Sequence, residues 1–236
     1  MTPMLVQEAR RGMLKNMVLL IGMQWLLVLI VTAVVHRLLP QRVCLFTCVG
    51  WVDTLIGVLL ALVLFTVIFQ RRSDTTTVGA SMMRFSAFVL LGVLLSWVLA
   101  VEYNAFHLVD PKRAPTAFVT SWFLTAMLFA AAYWVLPWLL PYAEFFRGLS
   151  TVLIVVLVGL ILWALVGKYY EHRSSSSYRV FFSVGVLVFL LFLFSDMVLL
   201  TTACRRRGSR ECDPLVGATT VYIDMVNILQ NLFHLS

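Results

Sequence analysis

The sequence predicts an all-α, polytopic membrane protein, a bundle of seven transmembrane helices forming a single domain over residues 1–236. Three observations carry that prediction. Of the 236 residues 61% are hydrophobic and 12% charged, about half the roughly 25% charge of a soluble domain. The apolar residues fall into seven runs, each near the ~20 helical residues that cross a hydrocarbon core. The connections between the runs reach only about fifteen residues, which leaves no room for a soluble domain of roughly 50 residues or more.

The first run, Met17–Val35, follows Arg10, Arg11 and Lys15. It lacks the small-residue cleavage site of a signal peptide and is expected to be retained. The second, Val49–Phe69, starts beside Cys44 and Cys48. Its Asp53 either caps the helix or extends a cation path. The third, Phe85–Val101, is short, and the fourth to sixth are Ala117–Leu136, Ser150–Gly167 and Val180–Thr202. The seventh, Leu215–Leu235, is polar for a span, and re-entry from one side is the alternative to full crossing. Pro40, Pro111, Pro115, Pro137, Pro141 and Pro214 fall in connections or at span boundaries, where a residue without an N–H does least harm. Residues 174–177, four serines, read as a flexible connector.

A formal net charge of +7 could suggest a polyanionic partner, but the basic residues sit in short loops between apolar runs, so no nucleic-acid partner is expected. With seven spans, the N-terminal side holds Arg10, Arg11, Lys15, Arg71, Arg72, Arg84, Arg147, Arg205, Arg206, Arg207 and Arg210. These are eleven of the 18 Lys and Arg residues, and seven lie on the other side. The excess predicts a cytosolic N-terminus. Four cysteines are too few for a disulfide framework. Cys44 and Cys48 read as free buried thiols, and Cys204 and Cys212 as structural residues in a reducing compartment.

Two aspartates stand out, because a carboxylate at membrane depth costs at least ~2.5–3.5 kcal/mol and usually faces a partner or a polar cavity. Asp196 lies six residues before Thr202 and Asp224 nine residues after Leu215, about 9 Å and 13 Å into the membrane at 1.5 Å per residue. Antiparallel neighbours can bring them together. Two close carboxylates cannot both ionise cheaply and titrate as a unit. Such a pair can share a proton, relay protons, or bind a hard cation such as Ca²⁺ as metal ligands. On the seventh run Gly217, Thr220, Asp224, Asn227 and Asn231 share one helical face. That stripe either lines a watery path or joins helices by hydrogen bonds.

The C-terminal fifth resembles the Bax-inhibitor-1 (transmembrane BAX inhibitor motif) family. In that family a Gly-x-x-x-Phe run leads into an aspartate, and a final helix reads Leu-Tyr-Leu-Asp-x-Ile-Asn-Leu-Phe. Here Gly185 and Phe189 lead into Asp196, and the last helix reads Val221-Tyr222-Ile223-Asp224-Met225-Val226-Asn227-Ile228-Leu229. Thr125, within Ser121-Trp-Phe-Leu-Thr125-Ala-Met, also looks like the family's pattern. The short tails and compact layout look most like the cytomegalovirus-encoded members. The resemblance implies a seven-helix bundle of the Bax-inhibitor-1 type acting as a pH-sensitive Ca²⁺ leak, viroporin-like, in the endoplasmic reticulum or other intracellular membranes. It also implies effects on cell death, with Ca²⁺ as the transported ion and no cofactor. Relatives latch an aspartate with an arginine, and Arg84 is the nominee for that latch.

The expected partners are the lipid bilayer, Ca²⁺ and host membrane proteins. The alternative reading is a membrane interaction protein, without a pore, that redirects host surface proteins. A seven-span receptor is disfavoured by the absence of an acidic-Arg pair at the third-span end and of an Asn-Pro-x-x-Tyr run. No enzyme is expected, since no nucleophile–base or metal-ligand set shares a span. The charge bias makes the loop carrying Arg205, Arg206, Arg207 and Arg210 cytosolic. A single cysteine placed there in a cysteine-free background should react with an impermeant maleimide from the cytosolic face only, and labelling from the opposite face alone would invert the topology.

Overall fold

A computed structural model of the chain describes residues 3–38, 59, 62, 63, 78–169, 175–204 and 213–236. The second predicted span (apart from Leu59, Leu62 and Val63), Asp53, Cys44, Cys48, Cys212 and the Arg205–Arg210 cluster lie outside the described residues. Six long helices account for nearly all of what is described: α1 Pro3–Leu38, α2 Val78–Val109, α3 Ala114–Leu139, α4 Ala143–Tyr169, α5 Ser175–Ala203 and α6 Pro214–Leu235. Four stretches are long and apolar enough to cross a membrane, Arg10–Leu38, Ser81–Val109, Ala114–Trp163 and Arg179–Ala203. The third, at 50 residues, is ~75 Å of helix at 1.5 Å per residue, more than two crossings of a ~30 Å core. The protein is therefore a multi-pass, all-helical membrane protein.

The packing divides into two compact units. One joins Arg11–Thr116 to Asp213–Tyr222. Within it α1 buries Met17, Ile21, Gln24, Val28, Thr32 and Val35, one stripe at helical spacing. Arg84, Phe88, Ser96, Ala100 and Asn104 form the matching buried stripe of α2. The two helices run parallel: Gln24 Nε2 donates to the Phe88 carbonyl at 2.6 Å, and twelve residues later His36 meets Asn104. Close approach at Gly92 makes the contact possible, since a Cβ there would overlap the Gln24 side-chain oxygen.

At the other end of α2, Arg84 Nη2 pairs with Asp213 Oδ2. Asp213 works twice, because its Oδ1 accepts the Leu215 N–H at 3.0 Å and so caps α6, with Pro214 as the first helical residue. Asp110 plays the same part before Pro111, accepting the Arg113 N–H at 3.1 Å.

The other unit holds Met1–Arg10, Ala117–Cys212 and Ile223–Ser236. On α4 Phe146, Leu153 and Leu160 are buried at seven-residue steps, with Leu149 and Leu157 half-buried between them. This a/d seam packs on Val184, Val188 and Phe192 of α5. Trp163 lies against Phe181, 6.2 Å between centroids, so α4 and α5 are antiparallel. The remaining faces of α4, such as Val152, Val155 and Ile161, are exposed, as lipid-facing residues are.

Several expectations change. The serines Ser175–Ser177 are not in a connector but in the first turn of α5, where a short polar residue suits a helix start. Pro137 lies inside α3, two residues before its last residue, Leu139, rather than beyond a span. Near a helix end the bond it forfeits matters least. Pro141 sits in a single 3₁₀ turn, Leu140–Tyr142, that joins α3 to α4. Cys204, expected as a structural thiol, is disulfide-bonded. The other three cysteines all lie outside the described residues.

The buried pair Arg84–Asp213 generates a stability prediction. Asp213→Ala should cost about 3–5 kcal/mol, as removal of one buried partner does, in unfolding of the purified protein in micelles. Asp213→Asn, which can still cap α6, should cost less, and the apolar double replacement Arg84→Met/Asp213→Leu should cost less than the sum of the single losses.

Candidate functional site

Asp196 is half-buried on α5, and Asp224 is buried on α6 with 6% exposure. What sets them face to face is the antiparallel register of the two helices. Phe182 stacks on His234, 4.7 Å between centroids and 18° between planes. One turn further, Gly185 faces Asn231 so closely that a Cβ on residue 185 would overlap Asn231 Oδ1. Asn231 is held in that position by its own backbone, Nδ2 donating to the Asn227 carbonyl at 2.7 Å. Continued along the helices, this register leaves Asp196 one turn from Asp224. Side chains lean toward the N-terminus of their own helix, so on antiparallel helices these two lean toward each other. Their carboxyl groups come within hydrogen-bonding reach.

That contact has a chemical requirement. Asp224 Oδ2 is buried and meets no donor, which is what a second ionised carboxylate beside it would leave. One proton on either residue turns the approach into a hydrogen bond. A cation between the oxygens would do the same electrostatic work. Either would relieve the repulsion between two carboxylates in contact.

The rest of the predicted stripe shows where its donors go. Thr220 Oγ1 donates to the Val216 carbonyl at 3.1 Å, and Asn227 Nδ2 to the Ile223 carbonyl at 2.8 Å. With Asn231, three of the stripe's side chains each commit one donor to their own helix, four residues back. Their acceptor oxygens and the second N–H of each amide remain for whatever the face meets. Val221, Val226 and Ile228, on the other faces of the helix, are buried too. The helix is enclosed on nearly every face. This accounts for a last helix too polar to count among the apolar stretches: it needs no lipid-facing side.

Arg84, the nominee for a latch, is engaged with Asp213. Thr125 is fully buried and donates to the Ser121 carbonyl at 2.8 Å. Ser195, beside Asp196, is also fully buried, with an unpartnered hydroxyl. Reading the sequence alone misses the polar residues of the α1–α2 seam: Gln24, Ser96, Asn104 and His36. Gln24 carried a signal, being a lone amide inside a long apolar run. Asn104 and His107 carried none, since they follow the end of the apolar run on α2. Ser96 Oγ donates to the Gly92 carbonyl at 2.6 Å, and Tyr222, two residues before Asp224, is fully buried.

Compared with known proteins, the chain matches the sequence model of one family, described as Bax1-I, inhibitor of apoptosis-promoting Bax1, over residues 10–235. No curated protein and no solved structure matches it.

The glycine–asparagine contact predicts a rescue. Gly185→Ala should disturb α5–α6 packing and lower the melting temperature of the protein in micelles. Asn231→Ala alone should do less, and Gly185→Ala/Asn231→Ala should recover much of the loss, because the space vacated by the amide accepts the new methyl. A double variant no better than Gly185→Ala would place the strain elsewhere.

Proposed function

Because the chain belongs to the family of inhibitors of apoptosis-promoting Bax1, we propose that it is a Ca²⁺-permeable leak of the endoplasmic reticulum or other intracellular membranes. In this reading it lowers stored Ca²⁺ and thereby modulates cell death. One observation carries it: a carboxyl pair in contact, with Asp224 Oδ2 buried and meeting no donor. Carboxylate oxygens are what a hard cation takes as ligands, and Asp196 and Asp224 are the residues that would receive Ca²⁺. Protons compete for the same oxygens, so flux is pH-dependent. The cytosolic N-terminus follows from the basic-residue bias, and the viroporin-like, cytomegalovirus-type provenance from the compact layout of the spans. The protein performs no catalytic step and uses no cofactor.

A second reading, an interaction protein that redirects host membrane proteins, is favoured by the exposed apolar surface of α3. Phe123, Met127, Trp134 and Trp138 there are all more than half exposed, and a partner's transmembrane helix could cover them as well as lipid does. Purified protein in Ca²⁺-loaded liposomes separates the two. Wild type should release Ca²⁺ faster than protein-free vesicles, and Asp224→Asn should abolish or strongly reduce the release while expression and insertion persist. Asp196→Asn should act alike, and the double variant should add little, because the pair acts as one site. Release by Asp224→Asn at the wild-type rate removes the residue from the path, and no release by wild type leaves the interaction reading.

A further inference from the structure

The C-terminal ends of α1 and α2 hold a second polar cluster, in a different unit from the paired aspartates. His36 comes from the last turn of α1 and His107 from the last turn of α2. Their rings lie 4.6 Å apart between centroids, with planes at 62°. Tyr103 packs against both, at 5.2 Å from His36 and 5.9 Å from His107. Beneath them Asn104, 4% exposed, receives at Oδ1 a hydrogen bond of 2.7 Å from His36 Nδ1. Both imidazoles are only half-buried, so an ion can reach them from outside the helix packing.

We propose that His36 and His107 form a binding site for a divalent transition-metal ion of the Zn²⁺, Cu²⁺ or Ni²⁺ class. The argument rests first on the Asn104 contact. A histidine that donates Nδ1–H to a carbonyl oxygen has its Nε2 lone pair exposed and its ring orientation set, which is the arrangement that supports ligating histidines. The spacing agrees as well. Metal–nitrogen bonds of about 2.0–2.1 Å meeting at a tetrahedral angle place two imidazole centroids roughly 5 Å apart, and the rings need only a small outward adjustment to reach that. Two helix C-termini converge here, and each carries a partial negative charge that favours a cation. Imidazole nitrogen selects transition metals over Ca²⁺, so this site and the carboxyl pair take different ions. Among the described residues no group of three His, Cys, Asp or Glu side chains is placed to hold a metal. The described residues thus supply two protein nitrogens to the ion.

The test uses the full-length protein purified in micelles, with NiCl₂ or CuCl₂ alone as the probe. Calorimetry should show saturable binding, and His36→Ala/His107→Ala should lose one equivalent of it. Asn104→Ala should keep the stoichiometry but weaken that equivalent about 10–100-fold, the usual effect of removing such a support. Asp224→Asn should leave it unchanged, so the outcome does not depend on the Ca²⁺ reading. A measurement on the wild type needs no variant to fold: the electron paramagnetic resonance spectrum of bound Cu²⁺ should show coupling to two imidazole nitrogens. Equal binding by wild type and the double histidine variant overturns the site, as does a Cu²⁺ spectrum with oxygen ligands only.

Discussion

Two carboxyl groups in contact inside a membrane protein cannot stand as two anions, and much of the architecture around Asp196 and Asp224 can be understood from that constraint. Bringing them together requires a fixed register of α5 against α6. A fixed register requires close helix approach, which Gly185 permits and Asn231 enforces. Thr220, Asn227 and Asn231 each commit one donor to their own backbone on that helix. The helix that carries this face is enclosed rather than lipid-exposed, since lipid could satisfy none of these groups.

The same device recurs in the other unit. Gln24 on α1 fills the space left by Gly92 on α2, as Asn231 fills that of Gly185. In water, burial of apolar area would drive such helices together. In a bilayer that drive is absent, because lipid is as apolar as leucine. Close packing at a glycine and a buried amide hydrogen bond supply specificity in its place. The α4–α5 seam shows the other solution, a heptad-spaced row of Leu153 and Leu160 packed on Val188 and Phe192. Van der Waals complementarity carries that seam, with the Trp163–Phe181 ring contact at one end.

The apolar runs were legible in the sequence because a crossing has a fixed length, and the aspartates because charge at depth is costly. Their meeting was also legible, as similar distances from the facing ends of antiparallel neighbours. The helix ends were not. Hydropathy stops at Val101, while α2 continues to Val109 through Tyr103, Asn104 and His107, residues whose helicity depends on packing against α1 rather than on lipid. Arg84 looked like the partner of an intramembrane aspartate because charge alone was visible. Its partner is Asp213, 129 residues away, which in the sequence is an ordinary Asp-Pro helix start. The roles of Gly92 and Gly185 were hidden for a related reason, since a glycine's value at a helix contact is set by the residue opposite.

The central claim is that Asp196 and Asp224 hold one positive charge between them. Difference infrared spectroscopy of the purified protein in bilayers, titrated over pH in the absence of divalent ions, observes the carboxyl C=O band directly. The account predicts one protonated carboxyl, shared by the pair, whose band is altered by Asp196→Asn and by Asp224→Asn alike and is displaced when Ca²⁺ is added. Two bands that titrate independently, each removed by only one of the substitutions and neither responsive to Ca²⁺, would contradict it.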